Sequence, residues 1–166
     1  MRSLRSWTFA LCLLCTAAAH AASSAIQVEV SATVVANCQI TVSDLAFGAY
    51  DPLGANQSRQ LEGSAAVRVT CTRSASATIA IDGGQSASDS LRSMTSSSAN
   101  GSAVVKYELY RDSNRTLAWV GDSPEARFVS RGCHDPQQFT VYARIPAGQE
   151  VPSGMYSDVV RATVSF

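Results

Sequence analysis

The chain has 166 residues, with thirteen basic side chains balanced by thirteen acidic ones and hydrophobic residues making up 46% of the whole. That bland charge speaks against nucleic acid or an anionic membrane as partner, since both call for a basic patch. The length suits one domain with a substantial core once a leader is set aside.

Residues 1–21 are expected to be a secretory signal peptide. Arg2 and Arg5 precede a short apolar run from Trp7 to Thr16, and Ala19-His20-Ala21 fits the small-x-small cleavage rule. The run is shorter than the roughly 20 apolar residues that a spanning helix needs. Losing the leader removes two of the thirteen basic residues, leaving eleven against thirteen acidic ones, a balance of −2. Cys12 and Cys15 leave with it. Cys38, Cys71 and Cys133 remain, in an oxidising compartment where a disulfide is expected. Cys38 and Cys71 each sit in a strand-like run and are the preferred pair. Cys133 taking one of them instead is the alternative, and the odd count leaves at least one thiol over.

Residues 22–36 form the next segment. Ile26, Val28, Val30, Ala32 and Val34 fall at every second position, the signature of a strand with one buried face. Lying at the leading end of the mature chain, this strand could pair outside its own domain. Residues 37–166 then carry short alternating runs between turn signals and no convincing amphipathic helix. This pattern indicates an all-β sandwich. Cys38, Ile40 and Val42 share one face. Leu45 to Tyr50 leads into a turn at Asp51-Pro52-Leu53-Gly54. Val67, Val69 and Cys71 point inward from Ala65–Thr72, and Ala77–Ile81 is closed by Asp82-Gly83-Gly84.

The Ser-rich stretch from Ser86 to Ser102 reads as a long loop with a short strand in its middle. Val105, Tyr107 and Leu109 mark a strand, and Leu117–Val120 another. Gly121–Pro136 reads as loop, and Phe139, Val141 and Ala143 open the penultimate strand. Tyr156–Phe166 closes the chain as one strand, with Val160, Ala162, Val164 and Phe166 on one face. A pairing-competent strand at each end suggests polymerisation by strand exchange.

Chemical motifs are weak. Cys133-His134-Asp135 contains a nucleophile, a base and a carboxylate, but three consecutive side chains point in different directions and cannot converge on one reacting atom. No set of metal ligands accompanies them. Asp82-Gly83-Gly84 lacks the strand-to-helix context of a nucleotide loop. Tyr107, Tyr110, Trp119 and Tyr142 would suit a sugar-stacking platform if they share an exposed face, and otherwise belong to the core or a sheet face. The chain is therefore not expected to be an enzyme or to need a cofactor or metal.

Taken in order, Asn37-Cys38-Gln39-Ile40, Phe47-Gly48-Ala49-Tyr50-Asp51-Pro52, Val69-Thr70-Cys71-Thr72 and Tyr107-Glu108-Leu109-Tyr110-Arg111-Asp112 are distinctive. So is the tail from Val141-Tyr142-Ala143-Arg144-Ile145-Pro146 through Gly154-Met155-Tyr156-Ser157-Asp158. Together these resemble the spore coat protein U domain family, the subunits of archaic chaperone–usher pili of the Csu type. The resemblance implies an incomplete immunoglobulin-like β-sandwich completed by donor-strand exchange. The donor would be the strand of Ile26, Val28, Val30, Ala32 and Val34. Val160, Ala162, Val164 and Phe166 would form the C-terminal strand edging the acceptor groove. It also supports the Cys38–Cys71 disulfide and leaves Cys133 as a departure from the usual pattern.

The implied partners are neighbouring subunits, a periplasmic chaperone and an outer-membrane usher, with no nucleic acid or small-molecule substrate. The implied location is the periplasm and then a surface pilus serving adhesion and biofilm formation. The alternatives are a secreted carbohydrate-binding β-sandwich module and a non-filamentous coat or matrix protein.

Overall fold

The computed structural model describes residues 22–86, 91–96, 103–121 and 125–166, which contain strands and no helix. The chain divides into two units, one ending at Thr33 and the other running from Val34 to Phe166. Residues 22–33 of the first are exposed and take part in no strand.

Among the described residues the second unit holds nine antiparallel strands: β1 (Cys38–Val42), β2 (Leu61–Cys71), β3 (Ser76–Ile81), β4 (Arg92–Ser96), β5 (Val104–Tyr110), β6 (Ala126–Val129), β7 (Gln137–Ile145), β8 (Tyr156–Ser157) and β9 (Ala162–Ser165). They form a six-stranded sheet in the order β1-β2-β7-β5-β4-β8 and a three-stranded sheet in the order β6-β3-β9. Alternation dictates which faces meet. Val67 and Val69 of β2, Ile79 and Ile81 of β3, Tyr107 and Leu109 of β5, and Val141, Ala143 and Ile145 of β7 all enter one core. Phe128 and Phe139 stack across the two layers, with ring centroids 5.1 Å apart.

Three stretches depart from the sequence reading. Leu117–Val120 forms only an isolated bridge, Tyr110 to Ala118. The Asp112 carboxylate accepts the Thr116 and Leu117 N–H groups at 3.0 and 2.7 Å, so the chain turns there before a ladder can extend. Gly121–Pro136 contains β6, which pairs with β3 from Ser76↔Val129 to Ile79↔Ala126. Tyr156–Phe166 is two strands rather than one. β8 pairs with β4 in one sheet and β9 with β3 in the other, because the chain crosses between layers at residues 158–161. The short strand expected inside the Ser-rich stretch is β4, while residues 87–90 and 97–102 of that stretch lie outside the described residues.

Cys38 and Cys71 are directly opposite in the β1–β2 ladder and are joined by a disulfide. β1 is a five-residue edge strand with one neighbour, so this bond ties it to the core. Cross-linking residues 33 positions apart removes about 3–4 kcal/mol of chain entropy from the unfolded state. Replacing both cysteines by serine is expected to lower unfolding free energy by about that amount. Denaturant titration with and without reductant checks it, and a double variant as stable as the oxidised parent would contradict it.

Candidate functional site

Four strands are sheet edges among the described residues, β1, β8, β6 and β9, and two of them meet on one side of the sandwich. β1 pairs only with β2, and β9 only with β3. Although they belong to different sheets, their Cα atoms come within 8 Å of each other, so they are the facing rims of one side of the sandwich. A strand seated between two neighbours in a sheet needs about 9–10 Å between them, twice the usual spacing. Filling this side therefore requires the rims to part.

The side chains along these rims show what is missing. On β9, Ala162 and Val164 sit opposite Ile81 and Ile79 of β3. Ile79 is wholly buried, whereas Ala162 and Val164 are only half-buried although they pack on the same core. On β1, Ile40 opposite buried Val69 is likewise half-covered, and Val42 opposite buried Val67 is 53% exposed. Val160 precedes β9 and is half-buried, and Phe166 beyond it is 57% exposed. One apolar row on each rim has thus lost its cover on the same side. An uncovered apolar edge with free N–H and C=O groups is a ready template for another strand.

Ile26, Val28, Val30 and Val34 are between 80 and 91% exposed, and Ala32 is exposed with them. An alternating aliphatic row in that state buries nothing itself. Cys133 is a free thiol and is exposed, and neither it, His134 nor Asp135 is gathered into a site. The described residues contain no cluster of metal-binding side chains.

The aromatic residues considered for sugar stacking do not form a platform. Tyr107, Tyr110 and Trp119 are each 3–4% exposed and belong to the interior, leaving Tyr142 alone half-exposed. Tyr142 instead lies under the Arg115 guanidinium, 5.8 Å from its ring centroid. A broad depression of about 790 Å³ near Arg59, Glu62 and Arg144 lies at the Leu61 end of β2, beyond the reach of β1. Two of its charges already have partners: Glu62 pairs with Arg115 at 2.8 Å and Arg144 with Glu108 at 2.5 Å. Burial works against the charge of Glu108, but the donors Tyr110 and Arg144 outweigh it and hold the carboxylate below its usual range.

A second polar cluster, with no signal in the sequence, lies where the chain enters β9. Buried Arg92 at the start of β4 donates to Asp82 O at 2.7 and 3.0 Å, to Ile81 O at 3.2 Å and to Trp119 O at 2.8 Å. Beside it, the Tyr107 hydroxyl donates to Asp158 Oδ2 at 2.6 Å. Alternation marks Tyr107 as inward-facing, but nothing in the residue pattern around Arg92 announces a buried guanidinium.

These features define an antiparallel, immunoglobulin-like sandwich with one side unfilled. Comparison with known proteins then gives the family. The Spore Coat Protein U domain matches residues 24–163, and the chain belongs to that family. It is 32% identical to Protein U of Myxococcus xanthus over 172 aligned positions, covering 96% of this chain and 94% of that protein. Among solved structures it is similar to a chain of the CsuC–CsuE chaperone–tip adhesion subunit pre-assembly complex, from the archaic chaperone–usher Csu pili of Acinetobacter baumannii. That likeness has a TM-score of 0.55 and 22% identity. It covers 81% of this chain and 40% of the other, and what it shows is the fold.

The inward tyrosines give a test of the packing. Burial, with the hydrogen bond to Asp158, pushes the Tyr107 phenol well above its ordinary value. Burial and the bond to Glu108 raise Tyr110 to about 12. Both are harder to ionise folded than unfolded. Their contribution to stability is therefore complete below the ordinary tyrosine value of 10.0 and is lost as pH climbs through the raised ones. At about pH 11 the tyrosinate absorbance of the native protein should stop at least two residues short of the five released by denaturant. Full ionisation of all five in a still-folded protein would contradict the assigned packing.

Proposed function

We propose that this protein is a structural subunit of a surface pilus assembled by the chaperone–usher pathway through donor-strand complementation. In this reading residues 1–21 are the signal peptide, residues 22–36 the donor segment and residues 37–166 the acceptor sandwich. The single observation that carries the reading is the pairing of two deficits in one sequence. An aliphatic row at Ile26, Val28, Val30, Ala32 and Val34 has no cover, and the rims at Ile40, Ala162 and Val164 have no third strand. Membership of the Spore Coat Protein U domain family and the fold shared with a Csu pilus assembly component support it.

The mechanism is physical rather than chemical. A periplasmic chaperone covers the open rims of a newly exported subunit, and an outer-membrane usher brings subunits together. The donor strand of one copy then replaces the chaperone in the groove of the next by β-augmentation. Burying the four larger aliphatics at about 1.5–3 kcal/mol each contributes at most roughly 6–12 kcal/mol. Ladder hydrogen bonds add about 1 kcal/mol each. The contact is head-to-tail and does not close, so repetition grows a fibre. No nucleotide or cofactor is required, because completing the fold supplies the free energy. Adhesion and biofilm formation at the cell surface are the roles such a fibre would serve.

Deleting Ser24–Val34 is expected to leave a subunit that still binds its chaperone but contributes no donor to a neighbour. Electrophoresis of surface fibres without boiling reads this directly, and normal ladders from the truncated chain would overturn the donor assignment. Val30→Asp places a charge in the middle of the aliphatic row, where burial without a partner costs several kcal/mol. Joining should fall below detection while the yield of chaperone-bound subunit stays unchanged, and polymer formed at the parental rate would count against the pocket mechanism.

A further inference from the structure

The two rims of the open side are not held alike. β1 is pinned through the disulfide at Cys38 and reaches its exposed end at Val42. β9 is held from behind, where residues 158–161 cross between sheets. Asp158 Oδ1 accepts the N–H groups of Gln85, Ser86 and Val159 at 3.0, 3.2 and 2.8 Å, and its Oδ2 accepts the Tyr107 hydroxyl. Asp82 Oδ1 accepts the N–H groups of Arg161 and Gly84 at 2.8 and 3.1 Å, while the Asp82 N–H donates to Arg161 O at 3.0 Å. Arg92 in turn grips the Asp82 and Ile81 carbonyls.

Gly84 shows how closely the parts fit. Its φ of +88° is in the left-handed region that favours glycine, and a Cβ there would lie 2.1 Å from Asp158 Oδ2. Two aspartates, a buried arginine and a core tyrosine thus fasten the last residues before β9 to the connection that follows β3. None of these bonds involves the open side.

We infer that Asp158 is a positioning residue that latches the start of β9 and so presets one rim of the groove, as the Cys38–Cys71 bond presets the other. The inference rests on the donor-strand reading for the identity of the entering strand, but not for the latch itself. β9 has four residues and one neighbour, and left to its own ladder it would fray readily. With the latch, its Ala162 end is set before any donor arrives, and only the Val164–Phe166 end remains to be ordered.

The test is amide exchange, read by mass spectrometry on the full-length protein expressed with its chaperone, beside the rate of joining to a second subunit. Asp158→Ala is expected to raise exchange in the 158–166 peptide about tenfold, to leave β2 and β7 peptides unchanged, and to slow joining. Asp158→Asn keeps an acceptor oxygen for the Gln85 and Ser86 N–H groups and should restore both readouts most of the way. Tyr107→Phe keeps the ring in the core and removes one bond. It should raise exchange in the same peptide a few-fold, and it carries the test if the alanine variant fails to fold.

Unchanged exchange at 158–166, or a rise spread equally through β2 and β7, would overturn the latch. So would Asp158→Asn behaving like Asp158→Ala. If the parent itself joins no neighbour while Asp158→Ala still loosens 158–166, the pilus reading falls and takes the role in joining with it.

Discussion

The structure depends on one unmet requirement, which is strand pairing along the side where β1 and β9 face each other. The buried positions of β2, β3, β5 and β7 meet in a single core between the two sheets. Along β1 and β9 the same alternation continues, yet Ile40, Ala162 and Val164 stop at half-cover and Val42 is left exposed. A sandwich with a three-stranded second sheet has too few strands to close this side itself. The exposed row at Ile26–Val34 has the matching defect, apolar surface with nothing to bury it. Donor-strand complementation between copies, as proposed above, would resolve both.

Around that open side the protein uses covalent and polar fastenings where burial is insufficient. The Cys38–Cys71 bond holds β1 onto β2. Asp158, Asp82 and Arg92 hold the approach to β9. Gln149 shows the same economy elsewhere. Its side-chain amide accepts the Lys106 N–H at 2.8 Å and donates to Lys106 O at 2.9 Å, filling a ladder position of β5 that β7 does not reach. The Tyr50 hydroxyl donates to Pro146 O at 3.0 Å and accepts Gln149 N–H at 2.9 Å, steadying that turn. In each case a polar side chain satisfies backbone groups that a missing or departing strand leaves unpaired.

The long strands were legible because alternation and burial agree. Val67, Val69 and Cys71 in β2 and Val105, Tyr107 and Leu109 in β5 are inward, as their spacing predicts. The disulfide followed from two cysteines in strand-like runs and one in a loop. What failed to show in the sequence has a physical cause in each case. β6 is Ala126-Arg127-Phe128-Val129, four residues with one large inward side chain, too short to alternate visibly amid Gly, Pro and charge. Leu117–Val120 is a continuous apolar run but is turned by Asp112, so pattern without room for a ladder misled. Tyr156–Phe166 keeps its period across a change of sheet, and only the Asp158 bonds reveal the break. The Arg92 cluster is long-range polar chemistry, which no periodicity encodes. The unfilled rims were suggested by the two end strands, but only the register against Ile79, Ile81, Val67 and Val69 displays them.

The most direct measurement is amide protection of residues 26–34 in purified fibres compared with the same segment in a lone subunit. Strand donation between copies predicts strong protection in the fibre, lost when the fibre is dissociated, together with new protection at β1 and β9. Residues 26–34 that exchange freely in intact fibres would contradict it, as would equal protection of the segment in the isolated chain.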